Sequence, residues 1–321
     1  MRFVTALLLA AALPAAAQDP YPSRTVRMLV PYAPGGATDI IARIVGAKLT
    51  ESLGQSFIVE NRPGANGNLA LEATAKAAPD GYTLLVGNVS TNAINESIYA
   101  GQLSIRPSQD LVGITKLVEI PHIVVANATF AANSIAELIA LAKKEPGKIN
   151  FASVGMGSYP HLDMERFLKA SGTQMTHVPY KGGAGQAIPA MIGGEVQLAF
   201  FNMASLLPHI KSGRLKALAA VPARRLPELP NVPTLAEQGY PGIGTNAWQG
   251  LFAPAATPKP VVDKLHAAVA AVLNAPEEKE GLAKKMLTVS VSPSPQEFTN
   301  LVRKETEEWG QFLRTARINI E

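Results

Sequence analysis

Short apolar runs alternate along the chain with longer segments in which apolar residues recur every three or four positions. Residues 26–30, 57–60 and 83–87 have the length and composition of buried strands. Residues 38–53 carry apolar side chains at helical spacing and end at Gly54, and a second helical pattern begins near Asn68. This alternation predicts an α/β fold with mainly parallel sheets.

The second half of the chain repeats this alternation. Ser134 and Glu137 form a capping box that starts a predicted helix. Further strands are predicted at 117–126, 148–153, 176–179, 196–201, 215–221 and 248–253, and further helices at 159–170 and after Ser294. Residues 117–126 are long enough to cross between two lobes, and the Pro- and Gly-rich residues 222–246 return the chain. We expect lobe 1 to comprise residues 18–124 and 248–321, and lobe 2 to comprise residues 125–247.

The first seventeen residues are typical of a secretory signal peptide. A basic start is followed by a short apolar run and by small residues before Gln18. We therefore expect cleavage after Ala17 and a mature protein in the periplasm. The alternative for this segment is a buried N-terminal helix.

Composition excludes several kinds of chemistry. The chain has no Cys, which rules out thiol catalysis and thiolate metal sites, and its five His residues are scattered. The formal net charge of +4 is spread along the chain without a Lys/Arg run, so no nucleic-acid partner is expected. Neither a dinucleotide-binding fingerprint nor a phosphate loop is present, and we expect no cofactor and no metal.

The first Gly-rich segment lies between a predicted strand and a predicted helix. It places bare backbone N–H groups at the positive end of a helix dipole, an arrangement that holds carboxylates or phosphates. The candidate ligand-binding residues here are Tyr32, Ala33, Pro34, Gly35, Gly36 and Asp39. The alternative is a tight turn in which Asp39 only complements the helix N-terminus.

Two further loops are predicted at the same edge of the first sheet. Asn66 lies in a Gly-rich segment before a helix, and Thr91 and Asn92 follow the third strand. Ligands commonly bind beyond the carboxyl ends of strands in open parallel sheets, so all three residues are candidates. Solvent-facing connections are the alternative.

A polar cluster surrounds the first helix start of the second half. Its members are Ser153, Gly155, Ser158 and His161. The enzyme interpretation is a Ser–His hydrolase that acts on small esters. However, the chain has no Gly-x-Ser-x-Gly elbow and no Asp placed to orient His161, so we expect binding and no catalytic residues.

Five more residues complete the candidate set. Tyr180 and Lys181 follow a strand, Phe201 and Asn202 end another, and Trp248 stands where the chain returns to lobe 1. The alternatives are that Tyr180 packs between the lobes, that Lys181 stays in solvent, and that Trp248 belongs to the core near the hinge.

The order of several motifs resembles the Bug family, the periplasmic receptors of tripartite tricarboxylate transporters. These motifs are Pro34-Gly-Gly-x-x-Asp39, Val59-Glu-Asn-Arg-Pro-Gly64, Pro79-Asp-Gly-Tyr-Thr-Leu-Leu85, His177-Val-Pro-Tyr-Lys-Gly-Gly183, Leu207-Pro-His-Ile210, Val232-Pro-Thr-Leu235 and Gly250-Leu-Phe-Ala-Pro254. The resemblance implies a two-lobed Venus flytrap fold of the type II periplasmic binding class. It also implies capture of a small organic acid for an integral membrane permease, without cofactor or metal, by a receptor that is usually monomeric.

The resemblance further implies which loops hold the ligand. The loop at 32–36 would bind a carboxylate through backbone amides and ordered waters, opposite the loops at 153–158 and 180–183 and the turn near Phe201. Relatives often carry Asp where this chain has Phe201, and another Asp where residues 186–189 stand. We therefore expect a di- or aromatic carboxylate rather than an amino acid, to be tested with Phe201→Asp. A periplasmic sensor for a signalling kinase is the competing binding role.

Overall fold

The computed structural model describes residues 21–245 and 247–316. The predicted signal peptide lies outside the described residues. The strands are β1 (Val26–Val30), β2 (Phe57–Asn61), β3 (Thr83–Asn88), β4 (Leu111–Ile120), β5 (His122–Asn127), β6 (Asn150–Ser153), β7 (Thr176–Pro179), β8 (Leu198–Asn202), β9 (Leu215–Ala220), β10 (Ala247–Pro254) and β11 (Thr288–Val289).

The helices are α1 (Ala37–Leu53), α2 (Asn68–Ala75), α3 (Asn95–Ile98), α4 (Pro107–Asp110), α5 (Ile135–Lys144), α6 (Tyr159–Ser171), α7 (Ala184–Gly193), α8 (Met203–Lys211), α9 (Lys259–Asn274), α10 (Pro276–Ala283) and α11 (Pro295–Ala316). A 3₁₀ turn at Ala65–Gly67 and a π-helical turn at Ser90–Ile94 precede α2 and α3. Within the described ranges, no helix has both the length and the apolar character needed to span a membrane.

Two sheets carry the architecture and confirm the predicted α/β class. One has the order β11-β4-β10-β3-β1-β2 and the other the order β7-β6-β8-β5-β9. Strand β1 pairs in parallel with β2 and β3, whereas β10 runs antiparallel to β3 and β4. Strand β6 pairs in parallel with β7 and β8, whereas β5 runs antiparallel to β8 and β9. The sheets are therefore mixed rather than mainly parallel, because the strands next to the crossings run against their neighbours.

The predicted continuous strand at 117–126 is wrong, because Pro121 divides it. Proline has no N–H to donate to a sheet ladder, so a strand interior rarely tolerates it. Strand β4 ends at Ile120 in the six-stranded sheet, and β5 begins at His122 in the five-stranded sheet. Pro121 therefore stands where the chain passes from one sheet to the other. Strand β10, which begins at Ala247, is again part of the six-stranded sheet.

Helix starts follow the sequence where a side chain can cap them. Ser134 Oγ accepts a hydrogen bond from Glu137 N at 3.1 Å, which confirms the predicted capping box of α5. Ser294 Oγ likewise accepts from Glu297 N at 3.2 Å, so α11 begins as predicted.

Candidate functional site

Gly-rich loops from the two sheets meet in a first contact between the loop after β1 and the loop after β7. Ala33 N donates a hydrogen bond to Gly182 O at 2.9 Å. A Cβ atom placed on Gly183 would lie 2.8 Å from the ring of Tyr32, and one on Gly36 would lie 3.8 Å from Ala184. The two loops are therefore joined by a backbone hydrogen bond, and at Gly183, whose φ is +74°, the Tyr32 ring leaves no room for a side chain.

A second contact joins the loop at 64–67 and α3 to the loop at 154–158. Asn66 Nδ2 donates to Met156 O at 3.3 Å, and Tyr99 OH donates to the same oxygen at 2.9 Å. Gly155 has a φ of +138°, and a Cβ there would lie 2.8 Å from Asn66 Oδ1. Gly155 is thus required both by the left-handed turn and by the approach of Asn66. Each of the two contacts joins elements of one sheet to elements of the other.

A central polar cluster of five residues lies between these contacts: Tyr32, Asn88, Ser90, Tyr159 and Asn202. Asn88 Nδ2 donates to Tyr32 OH at 3.3 Å, and Tyr159 N donates to Ser90 Oγ at 3.0 Å across the cleft. Asn202 lies close enough to the Tyr159 hydroxyl to lower its pKa slightly, against the larger effect of burial. Burial raises the pKa of both tyrosines, so both hydroxyls remain neutral donors at physiological pH.

Four helices begin at this cleft: α1 from one sheet, and α6, α7 and α8 from the other. Their N-caps are Gly36, Ser158, Gly183 and Asn202. Asn202 caps α8 by accepting from Ser205 N at 3.0 Å, but the other three helices have no side-chain cap bond. Ser158 could have capped α6, but its hydroxyl donates to Gly155 O at 2.6 Å. Tyr159 N at the start of α6 already donates to Ser90 Oγ, but N–H groups left unpaired at helix N-termini favour an anion.

Asp39 lies in the first turn of α1 and is buried, but its carboxylate bonds to its own lobe. It accepts from Gly35 N (3.0 Å), from Asn61 Nδ2 (2.9 Å) and from Arg43, whose Nη2 lies 2.8 Å away. Burial raises the pKa of Asp39, but the bonds from Arg43, Gly35 and Asn61 outweigh it and hold that pKa below its usual range. Asp39 therefore shapes the Gly-rich turn, which matches the alternative left open by the sequence.

The cluster predicted around the start of α6 comes together as a hydrogen-bonded loop. Ser153 Oγ lies 2.6 Å from His177 Nε2 and also bonds to the backbone of Gly155. His161 Nδ1 accepts from Gly157 N at 3.1 Å, and its ring stacks on His177 with centroids 3.9 Å apart. Burial lowers the pKa of His161 to about 3, so it is neutral. Both hydroxyls and His161 are engaged in shaping the loop.

The remaining predicted residues divide between the cleft and the core. Thr91 and Asn92 are buried in the π-helical turn, and Thr91 Oγ1 donates to Asn92 Oδ1 at 2.6 Å. Lys181 is exposed and Tyr180 half-buried beside the first contact. Phe201 is buried within β8, opposite Ile123.

Trp248 lies in the core near the crossing, as its alternative interpretation held. Its ring packs on Phe252 and Phe298, and its Nε1 donates to Glu305 Oε2 at 2.8 Å. This places Trp248 among the aromatic side chains of the six-stranded sheet rather than at the cleft.

The sequence interpretation missed two polar residues near the cleft, Tyr159 and His122. It had marked residues 88–92 as a candidate loop because they follow a predicted strand, but from them it selected Thr91 and Asn92 and not Asn88 or Ser90. Tyr159 begins α6, and His122 follows the crossing proline. Their rings stack with centroids 4.4 Å apart, a contact that no local sequence pattern indicates.

Among the described residues, His122 is buried without a hydrogen-bond partner on either ring nitrogen. Only 1% of the residue is exposed, and burial lowers its pKa to about 3, so the ring is neutral. Its Nδ1 lies 3.9 Å from Asp163 Oδ2, beyond hydrogen-bond distance. An unpaired buried polar group costs stability.

We predict that His122→Phe raises the unfolding free energy by about 1 kcal/mol, because it keeps the stacked ring and removes two unsatisfied nitrogens. Thermal and urea unfolding of the ligand-free protein measure this. His266→Phe is the matched control, since His266 Nε2 is bonded to Ser292 O at 2.9 Å, and its loss should destabilise. A destabilised His122→Phe would show that His122 is satisfied in solution.

Asp163 gives a pH-dependent prediction. Its oxygens accept from Thr245 N (2.9 Å) and Thr245 Oγ1 (2.8 Å), and burial raises its pKa to about 6. The folded pKa lies above the unfolded value, so ionisation destabilises the fold: the cost is absent below about pH 4 and complete above about pH 6. We expect Asp163→Asn to raise stability by about 2 kcal/mol at pH 7.5 and to change little at pH 4. Melting temperatures across this range test it, and an equal gain at both pH values contradicts it.

Solved structures of known proteins are similar to this fold over nearly the whole chain. R. palustris Rpa4515 with adipate superposes with a TM-score of 0.87 at 32% identity, covering 92% of this chain and 98% of that one. MatC (Rpa3494) from Rhodopseudomonas palustris with bound malate gives 0.84 at 33% identity, covering 91% and 99%. The chain therefore has the fold of a periplasmic binding protein, with two sheets and their flanking helices.

The family follows from the sequence. The model of the "Tripartite tricarboxylate transporter family receptor", TctC, matches residues 41–318. Protein BugT from Bordetella pertussis is 36% identical over 309 residues, covering 94% of this chain and 92% of BugT. The chain belongs to this family, so the resemblance to the Bug family is confirmed. These proteins are non-enzymatic periplasmic ligand binders, and the hydrolase interpretation is set aside on that ground.

Proposed function

We propose that this chain captures a small organic carboxylate between its lobes and delivers it to a tripartite tricarboxylate-type membrane permease. The observation that carries the proposal is the set of three helix N-termini without side-chain caps at one cleft, contributed by both sheets. Such groups replace the hydration of a carboxylate without a bulky cation. Adipate and malate in the two related structures agree with that chemistry.

Lobe closure is the proposed mechanism. We propose that residues 18–124 with 248–321 move against residues 125–247 about the two crossings, in a monomer exported to the periplasm. A ligand that touches both lobes favours the closed state by its differential affinity for that state. The hydrogen bonds from Ala33 to Gly182 and from Tyr99 to Met156 form only when the lobes meet, and so add to closure.

The charges near the cleft favour a carboxylate without an ammonium group. Asp39 is already bonded to Arg43 and Asn61, and Asp163 is bonded to Thr245. Neither carboxylate is available to pair with an amino group, and an ammonium buried without a partner would be costly. We therefore propose that malate is preferred over aspartate, which differ at this one substituent.

Thermal-shift and calorimetric titrations with malate, adipate and aspartate test the proposal. The mature protein is first unfolded and refolded to release any copurified ligand. At about 100 times Kd, a ligand adds roughly 2.7 kcal/mol to the unfolding free energy. We expect a saturable shift with a dicarboxylate and a weaker one with aspartate. A shift only with amino acids, or none across a wider set of mono-, di- and tricarboxylates, contradicts the proposal.

The malate–aspartate pair also tests the role proposed for Phe201 more cleanly than Phe201→Asp. Only 1% of Phe201 is exposed, so an Asp there would place an unpaired carboxylate in the core of the second sheet. A change in ligand preference in that variant would be confounded with loss of stability. Changing the ligand leaves the core intact.

A further inference from the structure

Helix α6 follows a strand of the five-stranded sheet, but its first turn packs into the core beside the six-stranded sheet. Tyr159 and Leu162 are buried and lie in one apolar cluster with Val89 and Trp248. Tyr159 N also donates to Ser90 Oγ, the bond across the cleft described above. The start of α6 therefore lies where the two proposed lobes meet, and it would lose cover if they separated.

Asp163 follows Leu162 in this helix and is wholly buried. Its two oxygens accept from Thr245 N and Thr245 Oγ1, two residues before β10 begins. Its Oδ2 lies 3.9 Å from Nδ1 of His122, the first residue of β5. The carboxylate thus lies between the two segments through which the chain passes from one sheet to the other.

Among the described residues, no Lys or Arg side chain forms an ion pair with Asp163. The ionisable groups around it are His122 of β5 and Tyr159 and Arg166 of α6, with Glu305 and Glu308 of α11 lining a cavity of about 300 Å³ beside Arg166 and Thr245. Burial keeps His122 neutral, and Arg166 Nη2 donates to Gly242 O at 2.9 Å. Burial is the largest influence on Asp163 and raises its pKa to about 6, against smaller effects of Thr245 and Arg166.

A carboxylate that becomes buried on lobe closure couples closure to protons. Desolvation disfavours the charged form, so the pKa of Asp163 is highest in the closed arrangement and falls once the lobes part and water reaches α6. Between the two pKa values, closing binds protons, and ligand affinity rises as the pH falls through that range. The range extends from about pH 6 down to about pH 4, where an ordinary aspartate titrates.

We propose that lobe closure takes up a proton at Asp163, which makes carboxylate capture tighter in mildly acidic surroundings. This coupling rests on the function proposed above, because it needs lobes that open and close. Protonation removes the cost of burying a charge, and a protonated carboxyl group still has an oxygen that accepts from Thr245 N. Affinity should rise about tenfold for each unit by which closure raises the pKa of Asp163.

A disulfide that locks the lobes together tests this coupling without any ligand. A Cβ atom placed on Gly36 would lie 3.8 Å from Ala184 Cβ, a separation typical of disulfides, and the wild-type chain has no Cys. Gly36 has a φ of −81°, which cysteine adopts without strain. In the double variant Gly36→Cys and Ala184→Cys, oxidation should hold the two loops together, and reduction of the same protein is the matched control.

Carboxyl carbon NMR follows the titration of Asp163 in both forms, with Asp163→Asn in the same background to assign the signal. We expect a pKa of about 6 in the oxidised form and a value about one unit or more lower in the reduced form. Small-angle scattering reports whether oxidation makes the protein more compact. A more compact oxidised form with an unchanged pKa of Asp163 would overturn the coupling and leave the proposed function standing. Equal dimensions in the two forms would contradict lobe closure itself, and the coupling would fail with it.

Calorimetric titration with malate measures the consequence for binding. We expect the ratio of malate affinities at about pH 5 and pH 7.5 to be about tenfold larger in the wild type than in Asp163→Asn. The variant serves as the reference because any proton that malate itself exchanges contributes equally to both proteins. Titrations in buffers of different ionisation enthalpy should also show proton uptake in the wild type beyond that of Asp163→Asn. Equal affinity ratios and equal proton uptake in the two proteins would overturn the proposal.

Discussion

Replacing Gly185 with alanine is expected to weaken carboxylate binding by about 10- to 100-fold without unfolding either lobe. Gly185 lies in the first turn of α7, where its φ is ordinary, so alanine is compatible with the local backbone. However, its Cβ would lie 2.1 Å from Pro34 O and 3.2 Å from Ala33 O on the opposite loop. Real Cβ atoms do not approach backbone so closely. The lobes must therefore stay slightly apart.

The same substitution should stabilise helix α7 even though it weakens ligand binding. Alanine is favoured over glycine inside a helix by roughly 1 kcal/mol, so α7 itself gains. Loss of affinity with unchanged or raised unfolding free energy would locate the defect in lobe closure. Calorimetry gives the affinity for whichever dicarboxylate the titrations identify, and small-angle scattering with that ligand reports the closed dimensions.

Gly193→Ala is the matched control for this experiment. Gly193 ends the same helix, and a Cβ there meets nothing within 4 Å. We expect this variant to bind the ligand within about twofold of the wild type. Wild-type affinity in Gly185→Ala would show that the first loop contact does not form in the liganded protein, and the proposed closure would then be wrong.

The sequence predicted most strands and the helices α1, α2, α5, α6 and α11, because periodicity and glycine punctuation are local properties, but it did not predict α9. It also located the Gly-rich turns that meet across the cleft, since each follows a strand and precedes a helix. The break at Pro121 could also have been predicted, because proline is rarely found inside a strand. The prediction of one strand over residues 117–126 gave more weight to the apolar residues on either side of that proline.

The roles of individual polar atoms could not be predicted in the same way. Ser158 is the N-cap residue of α6, but its hydroxyl donates to Gly155 O and does not cap the helix. This outcome depends on the conformation of the loop, which the sequence does not show. Asp39 could face a ligand or its own turn, and the choice depends on Arg43 and on Asn61 in a neighbouring strand. The stack of His122 on Tyr159 joins residues that only the assembled second sheet brings together.

Asp39→Ala is expected to lower the unfolding free energy by about 2–4 kcal/mol and to reduce ligand affinity. The variant removes the acceptor for Gly35 N, Asn61 Nδ2 and the Arg43 guanidinium, and these donors converge on one buried carboxylate. Gly35 has a φ of +94°, so its turn relies on that anchor. Urea unfolding and calorimetry measure the two effects.

The stability loss in Asp39→Ala should depend on pH with a definite sign. Because the folded pKa of Asp39 lies below the unfolded value, its contribution is complete above about pH 4 and falls as the pH drops through the folded pKa. The difference between wild type and Asp39→Ala should therefore shrink in acid. Asp163 behaves in the opposite way: its pKa is raised in the folded protein, so its ionised form destabilises the fold, whereas the ionised form of Asp39 stabilises it.

Asp263→Ala is the control, because Asp263 also pairs with a cation four residues away on a helix, at 2.6 Å from Lys259. Lys259 is exposed and Asp263 is half-exposed, so water screens the pair and the loss should be about 0.5 kcal/mol or less. The difference in unfolding free energy lost by the two variants measures the stability that burial and the hydrogen bonds from Gly35 and Asn61 add to an ion pair of this spacing. Similar losses of unfolding free energy in the two variants would mean that Asp39 does not hold the Gly-rich turn. The backbone amides of that turn would then have to be positioned by other contacts.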